Sequence, residues 1–325
     1  MENTVKRTIG TVNRQVKKKG LLSFIGIGPL FILLCVILSF MNPSFLTFQN
    51  WINLLNATSG IWIMAMAMTL VLITAGFDLS VGAVLALSGI VLVSLLNYGI
   101  PEIVSIIVTL GCITLIGIFT NGILIGKMGL NFFVVTLGTM SLFRGIVYVW
   151  SDGKTQYAND YSLLQFIGNG KVGAIPVTVI IMFTMFILTF VLLKYTYFGR
   201  SVYVVGGNRE TAKLTGIKVP LILMAVYGLS ALYASIAGIV EAGRLASASP
   251  TIGIGTELLV AAAVLLGGTS FKGGEGGVVG TTLGVLFIGV LQNGLSISGI
   301  SSYWQSVITG VILIFAILLN QLKAK

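Results

Sequence analysis

Histidine is absent from this chain of 325 residues, cysteine occurs twice, and charged side chains make up only 9% of it, nine acids against nineteen lysines and arginines. Each shortage removes a class of function. Without histidine or a cysteine cluster, a transition-metal site lacks its usual ligands. Cys35 and Cys112 lie inside apolar runs and read as small buried hydrophobes rather than as a disulfide. No Ser-His-Asp, Cys-His or paired-carboxylate set can be assembled from acids scattered over different segments, so the sequence argues against catalysis by this chain alone. A soluble domain carries about 25% charged residues. This composition therefore belongs to an integral membrane protein. The net charge of +10 does not point to nucleic acid either, because the basic residues stand at the ends of apolar segments rather than on one solvated face.

What is present is length after length of apolar sequence. Runs at 21–41, 52–73, 79–97, 103–125, 132–150, 175–195, 219–242, 257–270, 277–297 and 303–321 predict ten spans, the eighth of them short. The basic segment before Gly20, with Lys6, Arg7, Arg14, Lys17, Lys18 and Lys19, followed by an apolar run longer than a signal-peptide core, reads as a cytoplasmic N-terminus and a retained first span. With that end inside, Lys127, the basic residues from Lys194 to Lys218, Lys272, Lys323 and Lys325 also fall inside. Fifteen of the nineteen cationic residues then share one side, as the positive-inside rule requires. Trp51, Trp150 and Trp304 fall at outer ends, as interfacial anchors do. The expected organisation is residues 1–20 as a basic tail, 21–321 as the membrane domain, and 322–325 as a cytoplasmic end.

The chain also resembles itself. DLSVGAVLALSG from Asp78 aligns with ELLVAAAVLLGG from Glu257, and GIFTNG from Gly117 aligns with GVLQNG from Gly289, at offsets of 179 and 172 residues. Five spans separate the copies, so the halves, about 52–150 and 219–321, are expected to lie inverted with respect to each other. Inverted repeats are the architecture of many alternating-access transporters. Among the 41 glycines, Gly122/Gly126, Gly280/Gly284 and the row Ser230, Ala234, Gly238 place small residues four apart, where helices pack closely.

Few segments carry chemistry. Residues 197–220 form a soluble stretch between two spans, and Asn208, Glu210, Lys213 and Gly216 predict a capped helix of about two turns. So short a helix needs a docking surface, which makes it a candidate coupling element. The glycine-rich GGTSFKGGEGGVVG, residues 267–280, lacks the Lys-Ser/Thr of a phosphate loop and reads as a tight cytoplasmic turn between the eighth and ninth spans, where irregular backbone at membrane depth is tolerated only if buried in protein or lining a cavity. Asp78 stands where a helix begins and reads first as an N-cap, second as a pathway residue. Glu257 follows Thr256, another ready cap. Glu241 and Arg244 are spaced to pair, and Arg144 is an intramembrane charge within reach of the outer interface. Asp78, Arg144, Glu257 and Asn293 are the candidate pathway or gate residues.

Taken together, ITAGFDLSVGAVLALSG, VVGGNRETAKLTGIKV, the segment from Glu241 to Leu295 and SSYWQSVITGVILIFAILL resemble the permease subunits of bacterial ATP-binding-cassette importers for monosaccharides, of ribose-permease type, over roughly residues 20–321. The resemblance implies an all-α polytopic membrane protein of the bacterial inner membrane, without enzymatic activity, cofactor or metal of its own. ATP and magnesium would be bound by partner cassette ATPase subunits. An extracytoplasmic sugar-binding protein would deliver the solute, and a second permease copy would complete a homo- or heterodimer in membrane lipid. In that family the segment with the GGN motif contacts the ATPase, which falls here on Gly206, Gly207, Asn208, Arg209, Glu210, Ala212, Leu214 and Gly216. Arg209 departs from the family, where an acid is common. Alternatives are the same machine for a signalling sugar, nucleoside or branched-chain amino acid, and an ion-coupled secondary transporter.

Overall fold

The computed structural model describes residues 27–308, 310 and 311. The basic N-terminal cluster and the C-terminal tail lie outside these residues. The described chain is a bundle of helices: α1 (Ile27–Met41), α2 (Phe48–Ile73), α3 (Val81–Asn97), α4 (Glu102–Lys127), α5 (Phe132–Ser151), α6 (Ser162–Asn169), α7 (Val177–Tyr195), α8 (Tyr197–Gly207), α9 (Arg209–Leu214), α10 (Val219–Leu245), α11 (Thr256–Leu266) and α12 (Val278–Ile297). Helical residues resume at 302.

Six of these helices, α2, α4, α5, α7, α10 and α12, are long and apolar enough to cross a membrane. The protein is therefore an all-α polytopic membrane protein. Burial sorts the six. The apolar window of α2 is 83% buried and that of α10 61%, against 22% for α4 and 28% for α5. Helices apolar on all sides belong at the centre, so α2 and α10 form the axis of the bundle, and α4 and α5 turn apolar side chains outward, where lipid is their natural solvent. Cys112 is exposed on that outward side of α4, not buried as its sequence context suggested, and Cys35 is half-buried; both are free.

Packing around the axis has a crossed pattern. Helix α10 lies against α3 and α4, α2 lies against α11 and α12, and α2 and α10 lie against each other. Small residues make these approaches possible. A Cβ on Gly238 would strike the Leu85 carbonyl and Ser88; one on Gly284 would strike the Ala263 carbonyl; one on Gly126 would meet the Pro220 carbonyl at 2.8 Å. All three small-residue rows read from the sequence are thus helix contacts.

Two apolar segments expected as spans are shorter helices, the first of which begins inside the bundle. Asp78, just before α3, meets Ser230 near the middle of α10, and Gly89 of α3 faces Gly238 and Ala242 further along α10. The first turn of α3 abuts the loop before α11, with the Gly82 carbonyl oxygen 2.6 Å from a Cβ position on Gly253. Helices α3 and α11 therefore start beside each other and run in opposite directions, α3 from buried residues and α11 from partly exposed ones. The irregular backbone before α3 is tolerated there because protein surrounds it.

Local chemistry explains the breaks. Thr47 caps α2, its Oγ1 accepting from Asn50 N at 3.3 Å. The other end of α2 closes with Gly76 N donating to Val71 O and Ala75 N donating to Leu72 O, a termination that puts Ala75 at φ 57°. A left-handed alanine costs roughly 1–2 kcal/mol, and the surrounding contacts hold it there. The second half of α4, Ile118–Lys127, is π-helical, continuing with Met128 N donating to Ile123 O. π-Helical turns are uncommon and concentrate at functional sites. At the end of the bundle away from α9, α6 packs against α10, where Asn169 Nδ2 donates to Gly243 O at 3.0 Å. Neither α6 nor the π segment was foreseen from hydropathy.

Candidate functional site

Two places gather the residues singled out in the sequence. The first is the α8–α9 unit. Asn208 adopts extended backbone between the two helices, and its Oδ1 accepts from Thr211 N at 2.9 Å, capping α9. Glu210 sits in the first turn and Lys213 in the last, joined at 2.8 Å. Ile217 N donates to Ala212 O and Gly216 N donates to Lys213 O, with Gly216 at φ 79°. This termination needs glycine at that position. The expected capped helix is present with its expected caps.

The unit presents one face and hides the other. Ala212 is fully buried in an apolar cluster with Val205, Val219 and Leu223. Gly206 is also buried, because a Cβ there would collide with the Ile73 carbonyl oxygen at the end of α2. Gly207, Asn208, Arg209, Glu210, Lys213, Leu214 and Gly216 are exposed, and Leu214 is 88% accessible although apolar. Of the eight residues drawn from the GGN resemblance, Gly206 and Ala212 therefore seat the helix on the bundle, and the other six are on the free side.

Beneath this unit runs the 267–277 turn. Gly273 and Gly274 have φ of 81° and 72°, and Gly274 N donates to Ile73 O at 2.8 Å. Tyr203 of α8 donates its hydroxyl to Gly276 O at 2.9 Å; burial pushes that phenol up from its ordinary value, so it remains a donor. The glycine-rich segment is thus a turn packed on α2 and α8, with Gly267 and Thr269 buried and Gly268, Phe271, Lys272, Glu275 and Gly276 exposed.

The second place is a polar cluster in the bundle interior. Asp78 Oδ1 accepts from Ser80 N at 2.9 Å and from Ser80 Oγ at 2.6 Å, and its Oδ2 accepts from Ser230 Oγ at 2.7 Å. Asn121 Nδ2 donates to Ser80 Oγ at 2.9 Å and points at Asp78 Oδ1 at 3.4 Å, while its own Oδ1 accepts from Thr139 Oγ1 at 2.7 Å. All five side chains are buried. They come from the α2–α3 joint, the π-helical half of α4, α5 and α10. Asp78 is not the helix N-cap: that position belongs to Ser80, and the carboxylate bridges instead to distant helices. A sequence scan finds the acid but not its donors, which have no shared spacing.

The other candidates do not join this cluster. Arg144 Nη1 donates to Pro250 O at 2.7 Å and to Ile252 O at 2.8 Å, pinning the loop between α10 and α11, and lies within electrostatic reach of Glu257. Glu257 Oε1 accepts from Gly255 N at 3.2 Å; Gly255, not Thr256, occupies the N-cap position of α11. Asn293 of α12 exchanges two 3.0 Å hydrogen bonds with Asn50 of α2. Arg244 and Glu241 pair at 2.7 Å. Among the described residues, no group of three or more acids and cysteines is placed to hold a metal.

Residues 50–317 match the family model described as branched-chain amino acid transport system / permease component. The chain is 40% identical over 295 residues to the ribose import permease protein of Escherichia coli, covering 90% of this chain and 92% of that one. It is 41% identical over 294 residues to the ribose import permease protein of Bacillus subtilis, covering 90% and 91%. The galactose/methyl galactoside import permease protein of Escherichia coli is 33% identical over 329 residues, covering 95% and 98%. No solved structure matches the chain.

Proposed function

This chain belongs to the family of transport-system permease components, and on that premise we propose that it is the membrane subunit through which a monosaccharide of ribose type enters the cytoplasm. The observation that carries the reading is end-to-end likeness to sugar import permeases, ribose permeases foremost. The family description names branched-chain amino acids, yet the relatives matched over nine-tenths of the chain are named for sugars.

ATP hydrolysis on separate cassette subunits supplies the energy, with ATP and magnesium held there. A seated helix with an exposed polar face and an apolar tip, Leu214, supports α9 as the docking point for such a subunit. ATP-driven closure of the ATPase pair would displace α9 and change which side of the permease is open, provided the subunits contact the two states differently. An extracytoplasmic binding protein delivers the sugar, and a second permease copy completes the pathway. The crossed packing of α2 with α11 and α12, and of α10 with α3 and α4, supports two inverted halves within a ten-span chain. The positive-inside balance supports both termini in the cytoplasm.

The test is uptake of radiolabelled ribose into proteoliposomes holding this chain, its cassette ATPase and the binding protein. Uptake that requires ATP and the ATPase supports the reading. Accumulation with the ATPase omitted, driven by an ion gradient, would replace it with a secondary transporter, and uptake of leucine but not ribose or galactose would reassign the substrate.

A further inference from the structure

The cytoplasmic helix pair and the buried Asp78 cluster lie at the two ends of one short, unbroken piece of backbone. At one end, the Ile73 carbonyl is pressed by Gly206 of α8 and accepts from Gly274 N at 2.8 Å, while Gly273 abuts Ala75. Three segments therefore meet at the end of α2 with no side chain larger than the Ala75 methyl between them. Such a contact transmits displacement instead of absorbing it, because close-packed backbone has no rotamers to yield. At the other end, after the non-helical residues 74–77, comes Asp78. The joint has little slack. Gly76 is hemmed in by the Tyr227 hydroxyl and the Val71 carbonyl, and Ala75 is held in the left-handed region.

Asp78 then distributes the connection. Ser230 ties it to α10, and Ser80 and Asn121 tie it to the π-helical half of α4, with Thr139 of α5 completing the chain. Every group bonded to the carboxylate is a donor, and among the described residues no cation is bonded to it. The acid is thus suited to gathering donors from separate helices rather than to neutralising a charge. Its acceptor capacity is what holds three helices to one joint.

Resting on the importer reading, we propose that Asp78 and its donors form the interior end of the coupling path, binding α10 and the π-helical half of α4 to the α2–α3 joint so that they follow the cytoplasmic helix pair. The residues are positioning residues; none is assigned contact with sugar. With the cluster intact, motion of α8 and α9 is passed through Ile73 to α10. With it broken, the joint moves while the middle of α10, at Ser230, is no longer tied to it.

The experiment compares ribose uptake with ATP hydrolysis in proteoliposomes holding the full chain, its ATPase and the binding protein. Asp78→Asn and Ser230→Ala each remove the 2.7 Å hydrogen bond between the residue 78 side chain and the Ser230 hydroxyl, so the uptake obtained per ATP hydrolysed falls about tenfold while hydrolysis itself persists. Ser230→Thr, which keeps the hydroxyl, restores the ratio. Thr69→Val, which breaks a buried 2.7 Å hydroxyl pair with Thr281 elsewhere in the bundle, leaves it unchanged. If Asp78→Asn fails to accumulate in the membrane, Ser230→Ala decides alone. A parallel fall of uptake and hydrolysis in Ser230→Ala, or no change in either, overturns the proposal. Wild-type uptake without the ATPase overturns the importer reading itself, and this one with it, whereas normal wild-type coupling with an unaltered Ser230→Ala ratio sinks only the cluster.

Discussion

At the scale of the residue, two adjacent glycines with the same composition signal have different physical duties. Gly206 faces the Ile73 carbonyl with no room for a methyl group, whereas Gly207 has nothing within 4 Å of a Cβ position. Gly206→Ala is therefore expected to destabilise the seat of α8 by about 1–3 kcal/mol through overpacking, and Gly207→Ala to have little effect. Thermal unfolding of the two purified variants in detergent checks the contrast; equal melting would contradict the packing described. A sequence reading assigns both glycines to one motif. Only the position of the α2 carbonyl distinguishes them. Asp78 teaches the same lesson: its place before a helix suggested a cap, and the structure gives the cap position to Ser80 while the carboxylate reaches Ser230.

At the scale of the element, α9 was fully legible because everything that defines it is local. Its cap, its charged turns and its terminating glycine lie within nine residues of one another, and each acts on the backbone beside it. Asn208→Ala should cost ~1 kcal/mol of helix stability, read as faster amide exchange in residues 209–214 with α10 unaffected. Leu214→Ala should leave that exchange unchanged, because the side chain touches solvent, yet weaken ATPase binding by about tenfold if an exposed apolar tip is the anchor. Unaltered affinity would move the docking site elsewhere on the unit. The Glu210–Lys213 pair, exposed on both sides, should contribute little to either quantity. The π-helical half of α4 was not legible. Its sequence, IFTNGILIGK, is as apolar as an ordinary helix, and its widened turn accompanies Gly122 and Gly126 packing against α10.

At the scale of the molecule, hydropathy located the long helices to within a few residues: 103–125 became Glu102–Lys127, 132–150 became Phe132–Ser151, and 277–297 became Val278–Ile297. It failed where apolar length and depth part company. Val81–Asn97 and Thr256–Leu266 are apolar yet too short to cross, the first starting among buried residues and the second beside it among partly exposed ones. The proposed orientation makes a direct prediction. A cysteine introduced at Leu214 should react with a membrane-impermeant maleimide only after vesicles of cytoplasmic-side-in orientation are opened, whereas one at Lys154 should react from outside. The reverse pattern would invert the topology and place α9 beyond reach of any cytoplasmic ATPase.

From the amino-acid order alone came the membrane character, the long helices, the small-residue rows and the capped helix, since each depends on transfer of apolar side chains from water or on groups a few residues apart. Tertiary structure alone decided that α3 and α11 begin side by side, that Gly206 meets Ile73, and that Asp78 gathers donors from residues 80, 121 and 230. Hydrogen-bond partners and backbone contacts between separate helices are set by the register in which those helices pack, and no local periodicity carries that register.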